Sequence, residues 1–297
     1  MSTLSTFSNE LTAAVERAAA SVVTVHARRR LPSTGIYWAD SIVVTADHTV
    51  RVDDDITVTL PDGATVTATI AGRDPGTDVA VLRLTEGRAA SATHGDPATL
   101  RLGQLVLALG PGPTVSGGVV SRLGAGWRTG QGAEIDRLIQ PDLVFYPGFS
   151  GGPLVDVEGR VVGMNTSGLS RQLRLTIPIT TVQRVADELV RTGRVRRGYL
   201  GVSMQPVRLP EALRQRLGVE AETGVIVLGV EGESPAAKAG IVMGDVLLAL
   251  GGAPTRDPSD VRAILGSDRV GTAMAVTLVR AGERMSLEVT IEERPRR

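Results

Sequence analysis

The chain has 297 residues, with 32 lysines and arginines against 32 aspartates and glutamates, no cysteine, and 3% aromatic residues. The charge balance argues against a nucleic-acid or membrane-surface role, and the missing cysteine excludes disulfides, a thiol nucleophile and a cysteine-ligated zinc site. The length suits two domains, each with its own core, and the scarcity of aromatics requires aliphatic packing.

The first residues, Met1 to Val15, carry Glu10 and have neither a basic leader nor a continuous apolar run. They do not read as a secretory signal, and no stretch approaches the roughly 18 apolar residues of a membrane span. A cytoplasmic location is therefore expected. Leu11, Ala14, Val15, Ala18 and Ala19 fall at helical spacing, with Ser8 as the expected N-cap. Strands are expected over 22–26, 35–38, 42–45, 49–52, 56–60, 65–71 and 79–84, with Pro61-Asp62-Gly63 as one of the turns. The run Arg28-Arg29-Arg30 reads as a solvated loop. A second set of strands is expected over 105–109, 115–123, 138–140, 154–157, 161–167 and 174–178. The absence of strand–helix alternation favours antiparallel barrels over a doubly wound sheet. A helix follows, with Thr180 and Gln183 as a capping box and Gly193 as its stop, and Arg194–Arg197 reads as a linker.

Within this frame lies Gly148-Phe149-Ser150-Gly151-Gly152-Pro153. A serine between glycines also occurs in plain turns. Here Leu154 and Val155 begin a strand, and Val161 to Met164 form its hairpin partner, so Ser150 sits on a tight loop entering a hairpin. Small neighbours let the N–H groups of Gly148 and Ser150 face a common spot, where they can bind an oxyanion. A serine hydroxyl needs a base and an orienter. The histidines are His26, His48 and His94. His26 lies inside a strand and His94 in a polar loop, whereas His48 closes the apolar strand ending in Ala46-Asp47. Asp78 opens another apolar strand after Asp74-Pro75-Gly76-Thr77. The order His48, Asp78, Ser150 is one of the chain orders of convergent catalytic triads.

These segments, with Leu102-Gly103-Gln104, Ala108-Leu109-Gly110 and Ile139-Gln140-Pro141-Asp142, resemble the trypsin-like protease domain of the HtrA (Deg) family over about residues 8–190. The C-terminal part resembles the family's PDZ domain. Its features are Tyr199-Leu200-Gly201-Val202, a strand over 224–230, a short helix from Ser234-Pro235 to Gly240, Gly244 to Gly252, a helix after Asp257-Pro258, and a hairpin over Ala281-Gly282-Glu283. The resemblance implies a mostly β chain: a chymotrypsin-like double β-barrel over 1–193, a linker over 194–197, and an α+β PDZ domain over 198–297. It also implies an ATP-independent serine endopeptidase that acts on unfolded or damaged proteins with no metal or cofactor, and a homotrimer as minimal assembly, with Phe7 as a candidate contact. Exported relatives make the cell envelope the alternative location.

In that reading Ser150 attacks, His48 carries the proton and Asp78 orients it. The primary specificity pocket takes Val144, six residues before Ser150, with Phe145, Thr166, Ser167 and Gly168, where Gly168 leaves room. A cationic side chain would find no partner there. A peptide C-terminus would dock at Tyr199, Leu200, Gly201 and Val202 and rest against Val261 and Leu265. Successive N–H groups would face its carboxylate. The glycine-rich loop 123–136 is a candidate relay between the domains. Phe149, Phe145-Tyr146 and Asp47 depart from the family pattern, which motivates a second reading: a catalytically inactive, peptide-binding scaffold.

Overall fold

A computed structural model describes residues 2–293 except 113 and 171. The chain divides into two compact units, one of residues 1–129 with 133–195, the other of residues 130–132 with 196–297.

The first unit begins with helix α1 (Thr3–Ala19) and strands β1 (Val22–His26), β2 (Ser33–Ala39), β3 (Ile42–Ala46), β4 (Ile56–Thr59), β5 (Thr65–Asp74) and β6 (Val79–Leu84). They close an antiparallel barrel in the order β1-β2-β3-β6-β5-β4. In β4 the residues alternate, with Ile56 and Val58 buried and Thr57 and Thr59 half-buried, the two-residue period of a strand with one face on a core. Val23, Val25, Val43, Val58 and Leu82 fill that core. Strands β7 (Leu105–Gly110), β8 (Thr114–Gly124), β9 (Trp127–Arg128), β10 (Glu134–Ile135), β11 (Leu138–Asp142), β12 (Pro153–Val155), β13 (Val161–Thr166) and β14 (Leu175–Pro178) follow. Of these, β11-β14-β13-β12-β7-β8 close the second barrel.

Helix α2 (Ile179–Thr192) places Val182, Val185, Ala186 and Leu189 on a core shared by both barrels, with Val44, Val79 and Val81 from one and Leu107, Met164 and Ile177 from the other. Gly193 ends it in the left-handed conformation at φ 74°, the expected stop. Phe149 packs with Val106, Ile139 and Leu154 inside the second barrel. Its ring lies over Gly110, where a Cβ would overlap it. The departure at 149 is thus a large core residue matched to a glycine opposite.

Three local expectations are corrected. Ser2, not Ser8, caps α1, accepting from the Ser5 N–H, and Phe7 lies within the helix. Residues 49–52 form no strand: Asp47–Thr49 make a 3-10 turn, and Thr49 donates to the Ala46 carbonyl at 2.7 Å. No capping box forms at Thr180, because α2 starts two residues earlier, with Pro178 at the N-cap. Proline fixes φ near the helical value and begins the helix without a side-chain cap.

The second unit contains β15 (Gly198–Tyr199), β16 (Val202–Arg208), α3 (Glu211–Leu217), β17 (Thr223–Val230), α4 (Pro235–Lys238), β18 (Val246–Leu250), β19 (Ala253–Pro254), α5 (Pro258–Ile264), β20 (Ala273–Arg280), β21 (Glu283–Thr290) and β22 (Glu292–Glu293). Its main sheet runs β16-β17-β18-β20-β21. Asp257 caps α5 through the Ser259 and Asp260 N–H groups, and Ser234 caps α4. Helix α3 was not expected; none of its residues is fully buried, so its apolar periodicity is weak.

Asp245 is buried and held by Arg280, whose Nε and Nη2 both lie 2.8 Å from its carboxylate oxygens. Burial alone would raise the Asp245 pKa, but hydrogen bonds from Arg280 and the Val242 N–H hold it below the ordinary value. A depressed carboxylate stabilises the fold above its unfolded pKa and loses that contribution as pH falls through the folded one. Thermal unfolding of Asp245→Asn at neutral pH should show a loss of about 2 kcal/mol in the C-terminal unit. The gap from the parent should narrow below about pH 4.

Candidate active site

Asp78 stands just before β6 with φ at 59°, the left-handed region. The preceding turn sets it there: the buried Asp74 carboxylate accepts the Gly76 and Thr77 N–H groups at 3.2 Å each and the Thr77 hydroxyl at 2.7 Å. The Asp78 carboxylate is itself buried. It accepts the His48 backbone N–H at 2.8 Å and lies 2.8 and 3.0 Å from His48 Nδ1. A third donor, the Thr166 hydroxyl, comes from the end of β13 in the other barrel.

His48 sits in the 3-10 turn after β3. That turn is pinned by the Asp47 N–H donating to the Asp78 carbonyl at 3.1 Å. Arg73 supports it by donating to Asp47 Oδ1 at 2.6 Å and to the Val50 carbonyl at 2.8 Å. Burial pushes the Asp47 pKa up, against the pull of Arg73. The departure at 47 therefore belongs to a packed ion pair beneath the histidine.

Ser150 lies between Gly148 and Gly151. Gly151 has φ 89°, and a Cβ there would overlap the Thr34 carbonyl and the Thr45 hydroxyl, so only glycine fits. The loop is tied to both barrels. The Thr34 N–H donates to the Ser150 carbonyl at 3.3 Å, and the Thr34 hydroxyl donates to the Gly148 carbonyl at 2.7 Å. The Gly151 N–H donates to the Asn165 carbonyl at 2.9 Å. Among the described residues, the Gly148 and Ser150 N–H groups donate to no protein acceptor, which leaves two donors beside the Ser150 hydroxyl.

The Ser150 and His48 side chains make no direct hydrogen bond among the described residues. Ser167 stands between them, with its Oγ 3.1 Å from Ser150 Oγ and 3.4 Å from His48 Nε2, while its N–H donates to Ser150 Oγ at 3.3 Å. His26 and His94 lie elsewhere: His26 Nε2 is 3.1 Å from Thr59 Oγ1, and His94 packs on Trp38 with ring centroids 4.4 Å apart, where burial lowers its pKa.

The residues expected to line one specificity pocket do not gather. Val144 is 56% exposed, and Phe145 packs against the second-barrel core. Thr166 bonds Asp78, and Ser167 reaches Ser150 and His48. Gly168 does not open room in a pocket. Its backbone lies on the catalytic-type pair, and a Cβ there would sit 2.6 Å from His48 Nδ1. The residue spacing could not reveal that Thr166 to Gly168 serve the histidine and aspartate, because they meet only when the barrels close.

In the second unit Leu200, Val261 and Leu265 are buried in one core, with Val202 packed against it. Gly201 has φ 80°, and the Tyr199 hydroxyl donates to Glu231 at 2.8 Å. Strand β16 pairs with β17 and, among the described residues, with no strand on its other side.

Comparison with known proteins agrees with this geometry. The trypsin-like peptidase domain family matches residues 33–164, and the PDZ domain family matches residues 198–291. A probable periplasmic serine endoprotease, DegP-like, from Brucella suis biovar 1 (strain 1330) is 37% identical over 267 residues, covering 86% of this chain and 51% of the relative. A protein of the same name from Pseudomonas putida (strain W619) is 35% identical, covering 89% of this chain and 56% of the relative. The chain thus spans about half the length of the curated relatives it matches. A solved structure of the HtrA-type protease AlgW with a tripeptide is 30% identical, with a TM-score of 0.74, covering 97% of this chain and 98% of that one. The serine endoprotease from Yersinia pestis is 29% identical with a TM-score of 0.75, covering 96% and 98%. The expected cytoplasmic location is corrected by the two DegP-like relatives: both are named periplasmic, which points to the cell envelope.

The Gly168 contact yields a direct test. Gly168→Ala should push the imidazole off Asp78 and slow labelling of Ser150 by a fluorophosphonate roughly 100-fold, a loss within the range of a misplaced catalytic group. Far-UV circular dichroism should be unchanged.

Proposed function

The chain belongs to the HtrA (Deg) family of trypsin-like proteases with a PDZ domain, and we propose from this premise that it is an ATP-independent serine endopeptidase acting on unfolded or damaged polypeptides. The reading rests on one observation above the others: a buried carboxylate, fixed from both barrels, holds His48 by Nδ1 beside a serine loop that carries two unused N–H donors.

Ser150 Oγ attacks the peptide carbonyl, and its proton passes to His48 Nε2. Asp78 holds the tautomer that leaves Nε2 free to accept and stabilises the imidazolium that results. The N–H groups of Gly148 and Ser150 receive the developing oxyanion. His48 then protonates the leaving amine, and the acyl-enzyme is hydrolysed by water that His48 deprotonates. Rotation of the Ser167 side chain out of the line between Ser150 and His48 precedes this chemistry. The second unit binds peptide C-termini by strand addition at β16 beside α5, with Tyr199, Leu200, Gly201 and Val202 around the carboxylate. The family's trimeric assembly is proposed here too, with the exposed Phe7 of α1 as a contact. The scaffold reading loses its motive, since Phe149 is a core residue and Phe145 and Tyr146 pack beside it.

Ser150→Ala and His48→Ala should each lower cleavage of a permanently unfolded protein by several orders of magnitude, and Asp78→Asn by about 10⁴-fold. Undiminished cleavage by purified Ser150→Ala would refute the mechanism. None of Val144, Phe145, Thr166, Ser167 and Gly168 carries a charge, so sites mapped by mass spectrometry should favour Val, Ala, Ile or Leu over Lys and Arg before the cut. A majority after Lys or Arg would contradict that preference.

A further inference from the structure

A cavity of about 440 Å³ opens on the first barrel, lined by Arg28, Arg29, Arg30, Leu31, Arg51 and Val52. One wall is the turn between β1 and β2, and the other is the stretch that leaves the His48 turn. The Arg51 N–H donates to the Ala27 carbonyl at 2.8 Å and ties the walls together. Arg28 is half-buried and bonds the Leu31 and Pro32 carbonyls; burial and the nearby Arg51 charge lower its pKa. Arg29, Arg30 and Arg51 are exposed, and none pairs with a carboxylate among the described residues.

Elsewhere Arg73, Arg160, Arg184 and Arg280 each meet an aspartate, whereas here three exposed guanidinium groups share one cavity. The acidic run 53–55 follows directly, yet Asp53 turns to Arg73 at 3.5 Å, and among the described residues Asp54 and Asp55 make no ion pair with the pocket. Like charges crowded without a partner repel, and the arrangement favours a bound anion.

The pocket is linked to the serine loop through the turn that forms its wall. Its turn runs into β2, whose Thr34 bonds the Ser150 and Gly148 carbonyls, and the Pro32 carbonyl faces Gly148. Its other wall begins three residues after His48. Ser167 bonds Ser150 from the second barrel, while the turn carrying the arginines reaches Ser150 from the first. The flank toward the arginines is left for the segment that departs.

We infer that this arginine pocket binds acidic side chains of the substrate a few residues beyond the scissile bond, and so selects cleavage sites followed by Asp or Glu. The inference rests on the endopeptidase reading above. A substrate segment is favoured over a membrane surface or nucleic acid because the pocket is small, its turn is bonded to the Ser150 loop through Thr34, and the chain has no net charge. Single exposed pairs contribute little; the selectivity comes from several guanidinium groups converging on neighbouring carboxylates.

The test uses two C-terminally amidated peptides, so that the second unit has no free carboxylate to capture. They differ only in the second and third residues after the cut, Glu-Glu in one and Gln-Gln in the other. The wild-type protein should cleave the Glu-Glu peptide with roughly tenfold higher kcat/KM at low salt, and the advantage should collapse near about 0.5 M salt. The triple variant Arg29→Gln, Arg30→Gln, Arg51→Gln should lose the preference while cleaving the Gln-Gln peptide as the parent does; Arg28, which holds the turn, is left in place. Fluorescence anisotropy with Ser150→Ala should give the same tenfold difference in affinity. This arm reads the pocket even if no peptide is cut, so failure of the protease reading and failure of the pocket are told apart. Equal binding of the two peptides by Ser150→Ala, or a preference that survives the triple substitution, overturns the inference. Equal peptide binding with arginine-dependent binding to phosphatidylglycerol vesicles would overturn it in favour of an anionic surface.

Discussion

The Asp78 carboxylate is the constraint on which the site depends. It is 3% exposed, and a carboxylate so far from water must be met by donors or it destabilises the fold. Its donors are the His48 N–H and Nδ1 from its own barrel and the Thr166 hydroxyl from the other. Satisfying one buried charge therefore brings both barrels to the imidazole. The same requirement orients the ring so that Nε2 lies toward Ser167 Oγ, which in turn meets Ser150 Oγ.

Ser150 is held by a different device. Its loop has no buried charge and is fixed by backbone pairing to Thr34 and Asn165 and by the Phe149 ring seated on Gly110. A large apolar residue next to the nucleophile thus anchors the loop in the second barrel while the hydroxyl stays half-exposed. The packing density of such an interior leaves little freedom for either position to change alone. Gly168 is pressed against His48 and Asp78, and the Asp47–Arg73 pair supports the histidine turn.

Much of this was legible in the sequence. Alternating apolar residues located twelve barrel strands to within a few residues, and the loop glycines around Ser150 marked a tight, N–H-rich turn. The roles of Thr166, Ser167 and Gly168 were not, because periodicity and spacing describe neighbours along the chain, and these residues act across the barrel interface. Phe149 looked like a change at the active site and is a change in packing. The capping box at Thr180 and the cap at Ser8 failed for a local reason, since Pro178 and Ser2 start those helices earlier. In the second unit, the residues expected around a peptide divide into a buried set, Leu200, Val261 and Leu265, and the unpaired edge of β16. Core pattern and binding edge share the same strand and helix there.

The central claim is that the buried Asp78 fixes the tautomer of His48. Nitrogen-15 NMR of protein with labelled histidine reads it directly, with His48→Ala assigning the signal among the three histidines of the chain. At neutral pH the account predicts a proton on Nδ1, hydrogen-bonded to Asp78, and an unprotonated Nε2. Asp78→Asn should reverse that pattern, since its amide can face Nδ1 with a donor. A wild-type His48 carrying its proton on Nε2 would contradict the account.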